Sequence, residues 1–340
     1  MSSTHFLDAT ALPLIWAAIL GVAVALYVVL DGFDLGIGML FPFAKDDAQR
    51  ERMLASIAPF WDGNETWLVL GGGGLLVAFP RAYAIIMPAF YLPLIVMLLA
   101  LVLRGVTFEF RANAQRKPVW NAVFAAASTI AGFCQGLVLG GIVGGIDIAN
   151  GAFAGGPFDW ATPFGVMCGL GIVAGYALLG ATWLMLKTDG EMARDAAAKA
   201  KVLLIAVLVF MAAVSIFTPL AFPRIAARWF TLPNLFYLAP VPILTALVAF
   251  AEWRWIAARR EAAPFLATVA LFLLGYLGLV ISTFPYIVPS GLTIWDAAAA
   301  PASQTFMLIG TLVLLPVILG YTAFTYWLFR GKVGETADYH

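Results

Sequence analysis

Trp61-Asp62-Gly63-Asn64-Glu65-Thr66-Trp67 opens an otherwise apolar stretch that runs on to Phe79. Two carboxylates three residues apart share one face of a helix. A helix that spans a bilayer carries them below its surface. An ionised Asp at bilayer depth costs about 2.5–3.5 kcal/mol on insertion scales, so such residues usually face a protein interior or an aqueous path. Asp62 and Glu65 are therefore candidate functional groups, and proton handling is the simplest role for them. The plainer alternative is a pair inside the helix satisfied by backbone or by an arginine from a neighbour.

The rest of the composition agrees with a chain in lipid. Hydrophobic residues make up 63% of the 340 and charged ones 11%, well outside the usual balance of soluble domains. Lys plus Arg and Asp plus Glu stand at 19 each, with no basic tract, so nothing favours nucleic acid as a partner. Cys134 and Cys168 both fall in apolar stretches, without the spacing of a disulfide framework or a metal site; they are expected to be buried, inert thiols. The expected class is all-α and integral to the membrane, one membrane domain over residues 1–340.

Apolar stretches long enough to cross a ~30 Å hydrocarbon core recur along the chain. They lie near 12–30, 57–79, 83–103, 119–141, 163–186, 202–222, 234–251, 264–286 and 304–329, which predicts nine transmembrane helices. The first lacks the basic leader and small-residue cleavage site of a signal peptide, so it is read as retained. With the N-terminus outside, the inner segments hold every Lys and Arg except Arg81, Arg224 and Arg228. That bias fits the positive-inside rule and sets the C-terminus in the cytoplasm. Ala78-Phe79-Pro80-Arg81 ends the second span and Ala221-Phe222-Pro223-Arg224 the sixth. The echo suggests parallel repeats over 12–141 and 163–286, hence two four-helix bundles and one peripheral helix, 304–329.

At the inner end of the first span stands Leu30-Asp31-Gly32-Phe33-Asp34-Leu35-Gly36-Ile37-Gly38. Asp31 and Asp34 are again three apart, and the glycines allow close backbone approach or a break. A solvated helix end is the bland reading. Asp62 and Glu65, about 7 and 12 Å into the second span from the same side at 1.5 Å per residue, extend the pair into a graded file of carboxylates running inward. In the third span's end, Arg104-Gly-Val-Thr-Phe-Glu109-Phe-Arg111, Glu109 is expected to pair with a flanking arginine at the membrane edge. Gly71 to Gly74 are read as a packing run that lets helices approach in lipid. Asp147 and Asp159, in a Gly-rich outer loop, are expected to be solvated.

Histidine is confined to His5 and His340, so no His–His or His–Met pair for a haem iron forms in mid-membrane. No phosphate-cradling loop, G-x-S-x-G or HExxH pattern is present. If the chain serves redox chemistry, a partner must hold the metals.

The blocks Asp31-Gly-Phe-Asp34-Leu-Gly-Ile-Gly, Ser56-Ile-Ala-Pro-Phe-Trp61-Asp-Gly-Asn64-Glu-Thr-Trp67 and Arg104-Gly-Val-Thr-Phe-Glu-Phe-Arg111 resemble subunit II of the cytochrome bd-type quinol oxidases. The C-terminal third agrees through Phe284-Pro-Tyr-Ile-Val-Pro289-Ser290, Leu292-Thr-Ile-Trp295-Asp296-Ala and Tyr321-Thr-Ala-Phe-Thr-Tyr-Trp327. The middle, about 120–235, is similar only in hydropathy. The resemblance implies a nine-helix subunit in a bacterial inner membrane, docked on a haem-bearing subunit I. That partner would hold two b-type haems and one d-type haem or its substitute, oxidise quinol, and reduce dioxygen to water with cytoplasmic protons, electrogenically but without pumping. A structural quinone, membrane lipid and a small accessory subunit are further components it allows. Carried over by motif, the proton path would use Asp31, Asp34 and Asp62, with Glu65 beside them; some members carry a neutral residue at the last position.

Two other classes stay open, a proton-coupled secondary transporter and a purely structural scaffold. A transporter should show a substrate site near midplane in both halves, whereas these charges cluster in the first. On the proton-path reading Asp62→Asn should do most harm. Asp31→Asn and Asp34→Asn should do less, because cytoplasmic water is expected to reach both from several directions.

Overall fold

The computed structural model describes residues 10–289 and 291–334; His5, His340 and Ser290 lie outside them. The first apolar run forms α1, Ala11–Leu40, about 45 Å long at 1.5 Å per residue. A 3-10 turn, Phe41–Phe43, leads to α2, Asp47–Ile57, whose first turn is capped by the Asp46 side chain accepting from the Gln49 amide. Pro59 interrupts the chain before α3, Trp61–Ala78. Then come α4 (Pro80–Ala89), α5 (Tyr91–Ala112) and α6 (Lys117–Gly144). A hairpin of β1 (Ile148–Ala149) and β2 (Ala152–Phe153) follows; Asn150 and Gly151 both take positive φ in its turn, the geometry of a tight type I′ connection.

The second half holds α7 (Pro163–Lys187), α8 (Gly190–Ala221), α9 (Pro223–Phe230), α10 (Asn234–Leu238), α11 (Pro240–Ala257) and α12 (Ala262–Thr283). A small antiparallel pair, β3 (Tyr286–Val288) with β4 (Leu292–Thr293), precedes α13 (Ile294–Ala297) and α14 (Pro301–Leu328).

Among the described residues, eight helices are long and apolar enough to cross a membrane: α1, α5, α6, α7, α8, the joined α10–α11, α12 and α14. The second expected span corresponds to α3, which has the length but is too polar, with Asp62, Asn64 and Glu65 in its first turns and four glycines in its middle. Two expected boundaries move. The first span does not stop at Leu30, because Phe33, Leu35 and Ile37 carry the helix on to Leu40. The third begins at Tyr91 rather than near 83, since the chain breaks at Phe90 and restarts.

α1 is the central element. From Asp31 to Phe41 every residue is buried, enclosed by α3, α6 and α7. α3 runs antiparallel beside it: Asn64 reaches Leu30 and Asp34, while Gly74 lies against Leu20. In the glycine run only Gly74 is crowded; Gly72 and Gly73 have open space. α6 packs on α5 and α7, α8 and α12 pack on α7's other side, and α11 lies against α8 and α12. α14 buries only Gln304 and Leu308. Phe33 stacks on Trp183 at 4.2 Å and meets Phe265 and Tyr326 edge-on, joining α1, α7, α12 and α14.

α1 and α7 cross backbone to backbone. A Cβ on Gly36 would stand 1.9 Å from the Tyr176 carbonyl oxygen, and one on Gly180 would stand 2.5 Å from the Gly36 carbonyl carbon. Overpacking of this kind costs about 1–3 kcal/mol, and here a rigid backbone must move. Gly36→Ala is expected to lower the melting temperature of the detergent-solubilised protein clearly, while Gly275→Ala, with no atom within 4 Å of its Cβ, should be tolerated. Equal melting of the two variants would contradict this packing.

The two ends of the molecule differ in their ties. At the end holding Leu40 and Lys187, Lys187 Nζ donates to the Gly331 carbonyl at 2.7 Å and Lys332 bridges Asp189 and Glu261. At the opposite end Trp16 Nε1 donates to the Gln304 carbonyl (3.1 Å), Arg81 to the Asp296 carbonyl (2.7 Å) and Arg228 to the Phe284 carbonyl (2.7 Å).

Candidate functional site

α1, α3 and α5 converge on one buried guanidinium. Arg104, on α5, is 1% exposed. Its Nη1 lies 2.7 Å from Asp31 Oδ1 on α1, and its Nη2 donates to Glu65 Oε1 on α3. The planar fork suits two carboxylates presented from two helices in a way an ammonium does not. One helical turn along α1, Asp34 accepts from Asn64 Nδ2 at 2.7 Å, and Tyr326 of α14 donates to Asn64 Oδ1 at 3.0 Å. Asp31 and Asp34 are both fully buried, and Asp34 Oδ1 has no hydrogen-bond partner.

On the α6 side a polar chain continues inward. Tyr27 lies one turn before Asp31 on α1; Gln135 Nε2 donates to its hydroxyl at 2.8 Å, and Tyr176 donates to Gln135 Oε1 at 2.5 Å. Hydroxyls and an amide thus lead away from the carboxylates among apolar helices.

Three carboxyl groups gather beside one guanidinium that pairs with two of them, and no second cation lies within ion-pair distance among the described residues. Arg104 answers Asp31 and Glu65, while Asp34 has only a neutral amide. A buried charge without a counter-ion is costly, so a proton on one of these carboxyls relieves the imbalance. The arrangement can hold a proton and can redistribute it.

The site residues expected from sequence divide. Asp31, Asp34 and Glu65 come together around Arg104. Asp62 does not join them: it is exposed, one turn before Glu65 on α3, with no ion pair among the described residues. Asp31 and Asp34 are not a solvated helix end, since α1 continues past them and α2 and α7 cover its last turns. Water does not reach them from several directions. Glu109 is exposed and forms no ion pair with either flanking arginine. Residues two or five apart do not face one another on a helix; Arg104 turns to Asp31 and Glu65, and Arg111 to Glu51 (2.6 Å) and Asp47 (3.3 Å). Asp147 and Asp159 are exposed and both cysteines buried, as expected.

The cytochrome bd terminal oxidase subunit II family matches residues 12–329. The chain belongs to that family. Over 96% of each chain it is 28% identical to the cytochrome bd-I ubiquinol oxidase subunit 2 of Escherichia coli K12. It is 29% identical to the cytochrome bd ubiquinol oxidase subunit 2 of Bacillus subtilis, over 94% of this chain and 96% of that one. The fold resembles the structure of bd oxidase from Geobacillus thermodenitrificans, with a TM-score of 0.74 and 18% identity, covering 94% of this chain and 98% of the other. This subunit II is a multi-pass membrane protein and part of a cytochrome bd quinol oxidase.

Membership of this family implies haems in the complex. The described residues contain no histidine, and no group of three or more His, Cys, Asp or Glu side chains is placed to hold a metal ion. Cys134 and Cys168 are buried in apolar surroundings.

Arg104, Asn64, Gln135 and Tyr326 were not singled out as site residues from sequence. Arg104 carried a usable signal, because an arginine inside an apolar run calls for a buried partner once the helix is known to extend to Ala112. Asn64 sits between the two carboxylates of the second block. Gln135 and Tyr326 gave none, since polar residues in apolar helices are identified as partners only after the helices are placed.

Proposed function

We propose that this chain supports the haem-bearing subunit of a ubiquinol-oxidising bd complex in a bacterial inner membrane and supplies part of its proton-uptake path. Asp62, exposed in the first turn of α3 at the cytoplasmic end, takes up protons and passes them through Glu65 to Asp31 and Asp34 around Arg104. The observation that carries this reading is the excess of buried carboxylates over cations, with Asp34 the member that lacks one. A proton moves onto Asp34 when its charge is unanswered and leaves when Glu65 or Asp31 exchanges its share of the Arg104 guanidinium. Haem and oxygen chemistry belongs to the partner.

Nine crossings, N-terminus outside and C-terminus cytoplasmic, go with the same proposal. Its support is α3, whose contacts link Asn64 near one end of α1 to Gly74 beside Leu20 toward the other, and the placement of Arg81, Arg224 and Arg228 at the end opposite Lys187 and Lys332. The Ala-Phe-Pro-Arg echo recurs in three dimensions: α3 and α8 both end on Ala before a Phe, and Pro opens α4 and α9. That supports two related four-helix units with α14 outside them.

Asp34→Asn tests the buried part of the path. The amide keeps the shape and the contact with Asn64, so assembly should be retained while oxygen consumption per haem falls several-fold. Unchanged turnover at full haem content would leave the Arg104 cluster as a structural clamp only.

A further inference from the structure

A second buried carboxyl lies in the other half of the chain. Glu252, on α11, is fully buried. Thr268 Oγ1 of α12 lies 2.7 Å from its Oε1, and Thr182 Oγ1 of α7 lies 3.2 Å from Thr268 Oγ1. Glu252 Oε2 has no hydrogen-bond partner. The charged residues of the surrounding elements are Arg254 on its own helix, Arg259, Arg260 and Glu261 in the turn before α12, Lys187 on α7, and Glu191, Arg194, Asp195, Lys199 and Lys201 on α8. None of them forms an ion pair with it.

We propose that Glu252, Thr268 and Thr182 form a second proton-binding site, distinct from the Arg104 cluster. Each hydroxyl has more than one acceptor within reach. Thr268 can donate to Glu252 Oε1 or to the Pro264 carbonyl at 3.0 Å; Thr182 can donate to Thr268 or to the Leu178 carbonyl at 2.9 Å. With the carboxylate charged, Thr182 donates to Thr268 and Thr268 to Glu252, and Oε2 remains bare in an apolar interior. A proton from hydronium in bulk water leaves a water molecule behind and forms the O–H bond at Oε1, which then donates to Thr268. Thr268 turns to Pro264 and Thr182 to Leu178, so every donor is used in both states. Release runs the same rotations backwards and returns the proton to water. A bare buried carboxylate is costly, so the neutral form is the resting one.

Glu252 stands five residues before the end of α11, about 8 Å at 1.5 Å per residue. The proton enters from that end, which is cytoplasmic on the orientation proposed above.

Infrared difference spectra of the purified oxidase, recorded between acid and alkaline buffer, test the site. The unmodified complex should show the carbonyl band of a protonated carboxylic acid that Glu252→Gln lacks and Thr268→Val displaces. The band should also shift after exchange into D2O. A band unchanged by Glu252→Gln would overturn the assignment, and one insensitive to D2O would show an acid sealed from bulk protons and overturn it equally. If Glu252→Gln does not assemble, Thr268→Val decides, an undisplaced band being the contrary result. Haem-normalised quinol oxidation, measured on the same samples, reports on the oxidase reading separately, since the infrared band does not depend on turnover.

Discussion

Arg104→Met should largely abolish assembly of the oxidase. The substitution keeps an apolar stem of similar length and removes the cation between Asp31 and Glu65, which are held by α1 and α3. Breaking a buried pair by removing one partner costs about 3–5 kcal/mol, because the remaining charge stays uncompensated. Here two carboxylates are left. Arg104→Lys restores a charge but not the fork, and should recover part of the yield. Adding Asp31→Asn and Glu65→Gln to Arg104→Met removes the stranded charges and should recover more. The measurement is the amount of haem-containing complex purified per cell mass. Full yield and normal melting of Arg104→Met alone would contradict the ion-pair geometry.

Much of this architecture was legible in the chain. Apolar runs located eight of the nine expected spans, because lipid leaves the backbone few choices. The errors have identifiable physical sources. Asp31 and Gly32 look like a helix end, yet the glycines serve a crossing with α7 that no local pattern records. Asp62 and Glu65 share a face in one dimension, but the packing of α3 against α1 buries Asn64 and turns Glu65 inward to Arg104 while Asp62 stays outside. Proximity along the chain pairs Glu109 with Arg104 or Arg111, but the partners of both arginines are distant in sequence. Glu252 lies one residue beyond the expected span 234–251, beside Arg254 and a charged turn; only the packing of α7 and α12 shows it covered.

The most direct test is Asp62→Asn. Asp62 is exposed and makes no ion pair among the described residues, so the amide should leave folding and haem content unchanged. Proton transfer through a positioned carboxyl commonly contributes about 100-fold or more, and Asn cannot relay a proton. Oxygen consumption driven by quinol, normalised to haem, is therefore expected to fall by about that factor in Asp62→Asn, with assembly and spectra retained. Full turnover in Asp62→Asn at full haem content would contradict the proton path and leave this subunit a scaffold for its partner.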